Sequence, residues 1–409
     1  MGIEGLHKVL KTYGVKTSTR HLSSFSGKRI AVDGPTLTTA HLSVSHSRVS
    51  QEQSLSTLVR ERRVDERRAL TIRGVIERNM RVVHAWVASG ADVVWVLDAF
   101  KPTPEMAEAK RKTTMKRASD RQKVKEELES LRTKLTAYAD EHGEVALDGL
   151  ILNQQAAQIA DFNARCSYAA RDGTNLLLVP FESSETVEAA KRFIALYDRV
   201  YSRLSQDETD AWVRVAIACG VPVIEAPDEG ERFASALTRG GFADAVMSTD
   251  SDTIPHGAPM SIRSISLGME GTVDLKHATC EVLELENVLA SFPTRTQAEL
   301  VDLCILLGND FNTHLPGIGP VRAIAMLASG LKKPEKTSDE DWKNLNIEWC
   351  RRFFTQDPEG FSEVTSDALA MNASFLDDSE LWKDVPGHFT WLQSSMKIAY
   401  NARRSHIQN

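Results

Sequence analysis

The chain has 409 residues, 42% of them hydrophobic, which supplies a sizeable core and excludes wholesale disorder. A net charge of −7 excludes a uniformly basic nucleic-acid-binding surface, though not a basic face on a chain whose acids are gathered elsewhere. No apolar run reaches the length of about eighteen residues that a membrane span needs, residues 1–14 lack the pattern of a secretory signal, and Cys166, Cys219, Cys280, Cys304 and Cys350 include no Cys-x-x-Cys, which argues against a disulfide scaffold or zinc site and for a reducing compartment.

In chain order, the clearest elements are short β-branched runs that end in an acid. Residues 29–32 (RIAV) run into Asp33. A helical pattern over 72–87 follows, and then residues 93–97 (VVWVL) run into Asp98. About 130 residues separate Asp98 from Glu229, a long excursion for one α/β unit. Its first part is basic: from Lys101 to Lys125, nine lysines and arginines stand against Glu105, Glu108 and Asp120. Leu128, Leu131 and Leu135 then recur at helical spacing among charges, as in a projecting helix, and Glu141-His142-Gly143 reads as its end. A second helical pattern covers 186–218. Strand-like runs at 221–224 and 245–247 lead to Glu225 and to Ser248-Thr249-Asp250. Strands alternating with helices predict an α/β fold with a mostly parallel sheet, and the acids fall where such sheets place their functional groups, beyond the carboxyl ends of the strands. The expected layout is an N-terminal region 1–100, a basic helical insertion 101–210, a second α/β region 211–331, and a C-terminal extension 332–409 of undefined role.

Seven acids stand out: Asp33, Asp98, Glu229, Glu231, Asp250, Asp252 and Asp310. Two pairs have i, i+2 spacing, which lets both side chains face one way on an extended segment. So many carboxylates in one place repel each other, and hard divalent cations with oxygen ligands, Mg²⁺ above all, resolve the conflict. Two such ions about 4 Å apart would activate a water and stabilise the leaving oxygen of an in-line displacement. A single Asp after a strand is more often a helix cap, and an acidic pair is often a solvated turn. Recurrence of the acid after successive strand-like runs is what favours a metal centre.

The chain resembles the flap endonuclease family, which includes Rad2-type repair nucleases and Holliday-junction resolvases. The resemblance lies in residues 1–6 (MGIEGL), 30–34 (IAVDG), 226–231 (APDEGE) with 249–252 (TDSD), and 301–310 (VDLCILLGND) continuing to 317–320 (GIGP). It implies a PIN-like α/β fold with a long helical arch and a helix–two-turn–helix DNA-binding element. It also implies two Mg²⁺ ions, replaceable by Mn²⁺, the first held by Asp98, Glu229, Glu231 and Asp250, the second by Asp252, Asp33 and Asp310. Products would carry a 5′-phosphate. Lys110 and Arg111 match the family's clamp on the scissile phosphate. Gly2, Lys101, Lys112, Lys116, Arg117, Gly317, Gly319 and Arg322 are the expected DNA contacts, Lys101 without a clean counterpart in the family, with a K⁺ site at the Gly317–Gly319 turn and Lys332-Lys333 extending its positive face. The expected partner is branched or flapped DNA, met by a protein monomeric off DNA at a nuclear or cytoplasmic site of replication.

The chain departs from the family at three places. Thr39 stands where flap endonucleases carry a stacking aromatic, and the stretch after Asp98 reads Ala99-Phe100-Lys101-Pro102 rather than Gly-Lys-Pro-Pro. The insertion is also long, and with the STDSDT wording it is similar to family members of large DNA viruses. No sliding-clamp motif is recognisable; Phe353-Phe354 supply only its paired aromatics. Flap cutting, 5′-exonuclease action and junction resolution share one metal centre, and the sequence does not separate them. A catalytically silent scaffold and an RNA-directed nuclease are the alternatives on the same fold; the first is disfavoured by the intact set of acids, the second by the absence of an RNA-binding module.

Overall fold

A computed structural model describes residues 3, 5–99, 101, 103–150, 184–200, 204–268, 274–292, 296–312 and 314–408. Its strands are β1 (Ser18–His21), β2 (Arg29–Asp33), β3 (Asp92–Leu97), β4 (Val223–Glu225), β5 (Ala245–Met247), β6 (Met260–Ser266) and β7 (Thr279–Glu284). They form one sheet in the order β1-β7-β6-β5-β2-β3-β4. From β6 through β5, β2 and β3 to β4 every pairing is parallel, whereas β7 runs antiparallel to both β6 and β1. The mostly parallel sheet expected from the alternating pattern is therefore present, flanked by helices. The antiparallel edge has no counterpart in the sequence pattern. Its strands are rich in Ser, Thr, Arg and Glu and only partly buried, so no apolar run marks them.

The central strands read as continuous apolar runs because they are covered on both faces. Ile30, Ala31 and Val32 of β2 and Val93 to Val96 of β3 are all fully buried. Ala31, Val94, Val96 and Val246 pack with Phe233, Ala234 and Leu237 of the helix Gly230–Arg239. Each large side chain so buried contributes about 1.5–3 kcal/mol of transfer free energy. A second cluster joins Leu6, Val9 and Leu10 of the helix Leu6–Thr12 to Leu300, Leu303 and Leu307 of the helix Gln297–Leu307. Phe353 and Phe354, the paired aromatics of the C-terminal extension, lie inside this cluster.

Two compact units share the chain. Residues 1–40, 76–115 and 205–409 form the first, which holds the whole sheet; residues 41–75 and 116–204 form the second. The second is helical. Leu128, Leu135 and Ala139 of the long helix Arg111–His142 pack with Leu55, Leu58 and Val59 and with Phe193 and Leu196 of the helix Ser184–Val200. The apolar stripe read from Leu128, Leu131 and Leu135 is thus the side of the helix that builds this small core. The helix stops at His142, where Gly143 adopts φ +91°. The helical pattern at 72–87 belongs to a longer helix, Val64–Ala88, which gains acids in its first turn. The pattern at 186–218 is not one helix: Ser205 and Glu208 form a capping box that starts a new one, Gln206–Ala218. The C-terminal extension is part of the first unit. Tyr400 donates its hydroxyl to the Cys219 and Gly220 carbonyls, and Arg403 pairs with Asp92 at 2.5 Å. Among the described residues, no helix is long and apolar enough to cross a membrane.

Candidate metal centre

Asp33 is the last residue of β2, and a helix begins at the next residue, Gly34. A Cβ at Gly34 would lie 2.1 Å from Trp95 Nε1 and 2.7 Å from the Val96 carbonyl, so the helix can start against β3 only with glycine there. This close junction leaves Asp33 almost fully buried, its carboxylate accepting from Thr36 and, at 2.6 Å, from Ser248 Oγ. Burial raises its pKa against the lowering effect of those hydrogen bonds, and the Asp250 charge adds to the rise.

Beyond the end of β3, the chain stays paired with the segment after β4: Ala226 N–H donates to the Leu97 carbonyl and Ala99 N–H to the Asp228 carbonyl, both at 2.8 Å. This ladder sets Asp98 beside Glu229. Asp98 Oδ1 accepts at 2.8 Å from the N–H of Gly230, the first residue of the helix Gly230–Arg239, an N-terminus that favours negative charge. Asp98 keeps a solvent-facing side, yet burial of the rest, with the charge of Glu229, raises its pKa to about 7.

Glu231, in the first turn of that helix, stands with Asp250 and Asp252, their ligand oxygens all within 4.8 Å of one another. This is the spacing at which carboxylates can share a cation. Ser248 organises the loop that carries two of them: its Oγ accepts from Asp250 N–H at 3.0 Å while donating to Asp33. Ile3 N–H donates to Asp252 Oδ1 at 2.9 Å, tying the start of the chain to the same loop. Glu231 and Asp252 are both raised well above the usual carboxylate range, first by burial and then by their acidic neighbours.

Asp310 follows the helix Gln297–Leu307 in a turn held by two asparagines. Asn309 N–H donates to Asn312 Oδ1 and Phe311 N–H to Asn309 Oδ1, each at 2.9 Å, and Thr113 Oγ1 donates to the Asp310 carbonyl at 2.8 Å. Asp310 raises the pKa of Asp252 through its charge, as Asp33 and Glu229 raise that of Glu231. All seven acids predicted from sequence thus belong to one electrostatic cluster. The closest group of ligand atoms, however, joins Asp252 to Glu231 and Asp250, across the division into two ligand sets that the resemblance implied.

Of the basic residues, Lys110 enters the cluster. Its Nζ lies 2.5 Å from Glu229 Oε2 and 5.2 Å from the Phe311 ring centroid. Burial works to lower its pKa, but the Glu229 contact outweighs that and raises it. Arg111 is exposed and pairs with Glu108 at 3.2 Å, and Lys101 and Lys116 are exposed. Arg117 is half-buried on the same long helix, and the side chain of Lys112 and all of Gly2 lie outside the described residues. In the turn after Asp310, Gly317 adopts φ +75° and Arg322 donates to its carbonyl at 2.8 Å, so this arginine braces the turn. Gly319 precedes the helix Pro320–Ala328 in extended conformation. Lys333 pairs with Asp339. Sequence reasoning missed the contributions of Ser248, Thr36 and the Ile3 amide, which act through single hydrogen bonds that no spacing rule reveals.

Residues 220–310 match the model of the XPG I-region family. Flap endonuclease 1 of Caldivirga maquilingensis is 35% identical over 129 residues, covering 30% of this chain and 37% of that protein. A Frog virus 3 protein described as a RAD2-like endonuclease is 26% identical over 327 residues, covering 80% of this chain and 75% of the viral protein. This chain thus spans well under half the length of the archaeal flap endonucleases it resembles. The solved flap endonuclease-1 from Methanococcus jannaschii superposes with a TM-score of 0.53 at 18% identity, over 96% of this chain and 97% of that one. The catalytic core of Rad2 in complex with DNA substrate does so at 0.50 and 15%, over 98% and 100%. The fold is theirs, and the match to the XPG I-region spans β4, β5, β6, β7 and the chain as far as Asp310.

Proposed function

We propose that this chain is a structure-specific, divalent-metal-dependent DNA nuclease, cutting phosphodiester bonds at flaps or junctions as an endonuclease or 5′-exonuclease in replication, repair or recombination. The observation that carries this reading is the single cluster of seven carboxylates, six on the segments that end or follow β2, β3, β4 and β5 and the seventh in the turn after the helix Gln297–Leu307, with three ligand oxygens at cation-sharing distance. The donor set fits hard divalent ions: it is all oxygen and crowded, and burial, with mutual repulsion added, raises the pKa of its carboxyls. Glu231, Asp250 and Asp252 would hold one Mg²⁺, and Asp33, Asp98, Glu229 and Asp310 would complete the shells of a pair. Bound there, the ions would supply Lewis-acid activation of water and charge stabilisation of the leaving oxygen.

The chain's own residues have separable tasks. Ser248 and Thr36 hold Asp33 by hydrogen bonds to its carboxyl oxygens. Lys110, now paired with Glu229, is placed to exchange that carboxylate for a phosphate oxygen, a charge-assisted contact of similar strength. Arg111, Lys112, Lys116 and Arg117 would meet the backbone of flapped or branched DNA, with Lys101 and Gly2 adding contacts. The Gly317–Gly319 turn, braced by Arg322, would approach one duplex strand and bind a K⁺ there.

The test is a panel of flapped, nicked, gapped and four-way DNA, with matching RNA, incubated with Mg²⁺ or EDTA. Metal-dependent cuts in DNA at flaps, junctions or 5′ ends, leaving 5′-phosphates, are expected. Preferential cleavage of RNA, or undiminished cutting in EDTA, would sink this reading.

A further inference from the structure

The acids of the candidate centre hold their own loop only in part, through the bond that Asp250 Oδ1 accepts from Ser251 N–H at 2.6 Å. Asp250 and Asp252 sit just past β5, a strand of only three residues, on a segment that must turn sharply while carrying repelling charges. Beside the bonds to Ser248 and Ile3, further support comes from the neighbouring strand. Along β6 and β7 the register slips: Ile262 faces Val282 and Ser264 faces Glu281, so Arg263 is an extra residue with no partner of its own. Such a bulge bends the strand locally and re-aims a side chain. Here the guanidinium reaches the loop after β5, donating from Nη1 to the Asp250 carbonyl and from Nη2, at 2.7 Å, to the Thr249 carbonyl. Both bonds go to main-chain oxygens, so the carboxylate oxygens they steady stay available for a cation. The side chain is half-buried and within electrostatic reach of Asp250, Asp252 and Glu231.

We propose that Arg263 is a positioning residue of the metal centre: from its bulge it pins the main chain of Thr249 and Asp250, presetting Asp250 and Asp252 beside Glu231 at cation-binding spacing before any cation arrives. This rests on reading those acids as metal ligands. The planar fork of arginine bridges two adjacent carbonyls at once; a lysine at the same place keeps the charge and loses the bridge. Removing the charge alone would act in the opposite direction, since one fewer positive charge near the acids strengthens their hold on a cation. Positioning and countercharge therefore predict opposite changes in affinity.

The experiment measures Mn²⁺ binding to the DNA-free protein by the loss of the free-ion paramagnetic resonance signal. The parent, Arg263→Lys, Arg263→Gln and Asp250→Ala are each studied well below their own melting midpoints, so that a less stable variant is still read in its folded state. Both Arg263 variants are expected to bind Mn²⁺ about 10–100-fold more weakly than the parent, the range for residues that orient ligands, with cleavage recovering at high metal. Folded Arg263→Lys binding as tightly as the parent, or Arg263→Gln binding more tightly, would overturn the proposal. Asp250→Ala separates the two readings: Mn²⁺ binding unchanged by that substitution removes the metal assignment and the role of Arg263 with it, whereas weakened binding leaves the Arg263 result to decide the inference alone.

Discussion

At the scale of single residues, Asp250 occupies the most connected position. It shares the closest ligand group with Glu231 and Asp252, receives its main-chain bond from Ser248, and presents its carbonyl to Arg263. Replacing it with alanine would remove one of the proposed ligands and leave the proposed DNA contacts untouched. Asp250→Ala is therefore expected to abolish cleavage with Mg²⁺ while branched-DNA binding, followed by fluorescence anisotropy, stays close to that of the parent. Continued turnover in this variant would show that the acids are not the metal centre. The identity of the acids was legible in the sequence because each follows a recognisable run or motif. Their supports were not: Ser248 and Arg263 act through geometry set by a buried hydroxyl and a strand bulge, and an isolated Ser or Arg in a sequence carries no mark of either.

At the scale of elements, two helices invite direct tests. The long helix Arg111–His142 begins with basic residues and ends in an apolar stripe that builds a core. Lys110 pairs with Glu229 inside the acid cluster, so changing it would disturb the centre, and DNA binding is better tested with Arg111, Lys112, Lys116 and Arg117 changed to glutamine. Each phosphate no longer neutralised should flatten the dependence of log K on log salt by about 0.9 on duplex and about 0.7 on single strands. An unaltered slope would make this run an ordinary solvated surface. The other helix is Pro320–Ala328, entered through the glycine turn. Gly317 needs its positive φ, so a side chain there strains the backbone whatever the turn touches. Gly319 is extended and a Cβ there meets nothing within 4 Å, which makes Gly319→Val the cleaner probe. If the turn approaches a phosphate, that variant should melt near the parent yet bind duplex-containing substrates about tenfold more weakly, the worth of one hydrogen bond to a charged group. Equal affinity would remove the turn from the duplex-binding surface. The parallel strands were readable because burial on both faces makes β2 and β3 unbroken apolar runs, whereas β1, β6 and β7, half-exposed and polar, gave no such signal.

At the scale of the whole molecule, the acid cluster links stability to pH. Asp33, Glu231 and Asp252 hold their protons above the usual carboxylate range, and Asp98 up to about 7. In the unfolded chain the same groups release protons near pH 4. Across the window between those values the folded cation-free protein binds more protons than the unfolded chain, so its stability falls as pH rises. A divalent cation takes the place of those protons, and its stabilising effect should grow over the same window. Melting in EDTA and in Mn²⁺, from about pH 5 to about pH 8, should therefore give two curves that diverge as pH rises; an EDTA midpoint that climbs with pH would contradict the burial of these acids. The hydrogen bond from Ile3 to Asp252 has a different consequence, one of timing. The residues that meet at the centre are strung from Ile3 and Asp33 to Asp310, so a chain emerging from the ribosome carries its first carboxylates long before the last exists. Until the turn at Asp310 has been made and folded back, the cluster is incomplete: six of its seven carboxylates exist before the last can join them.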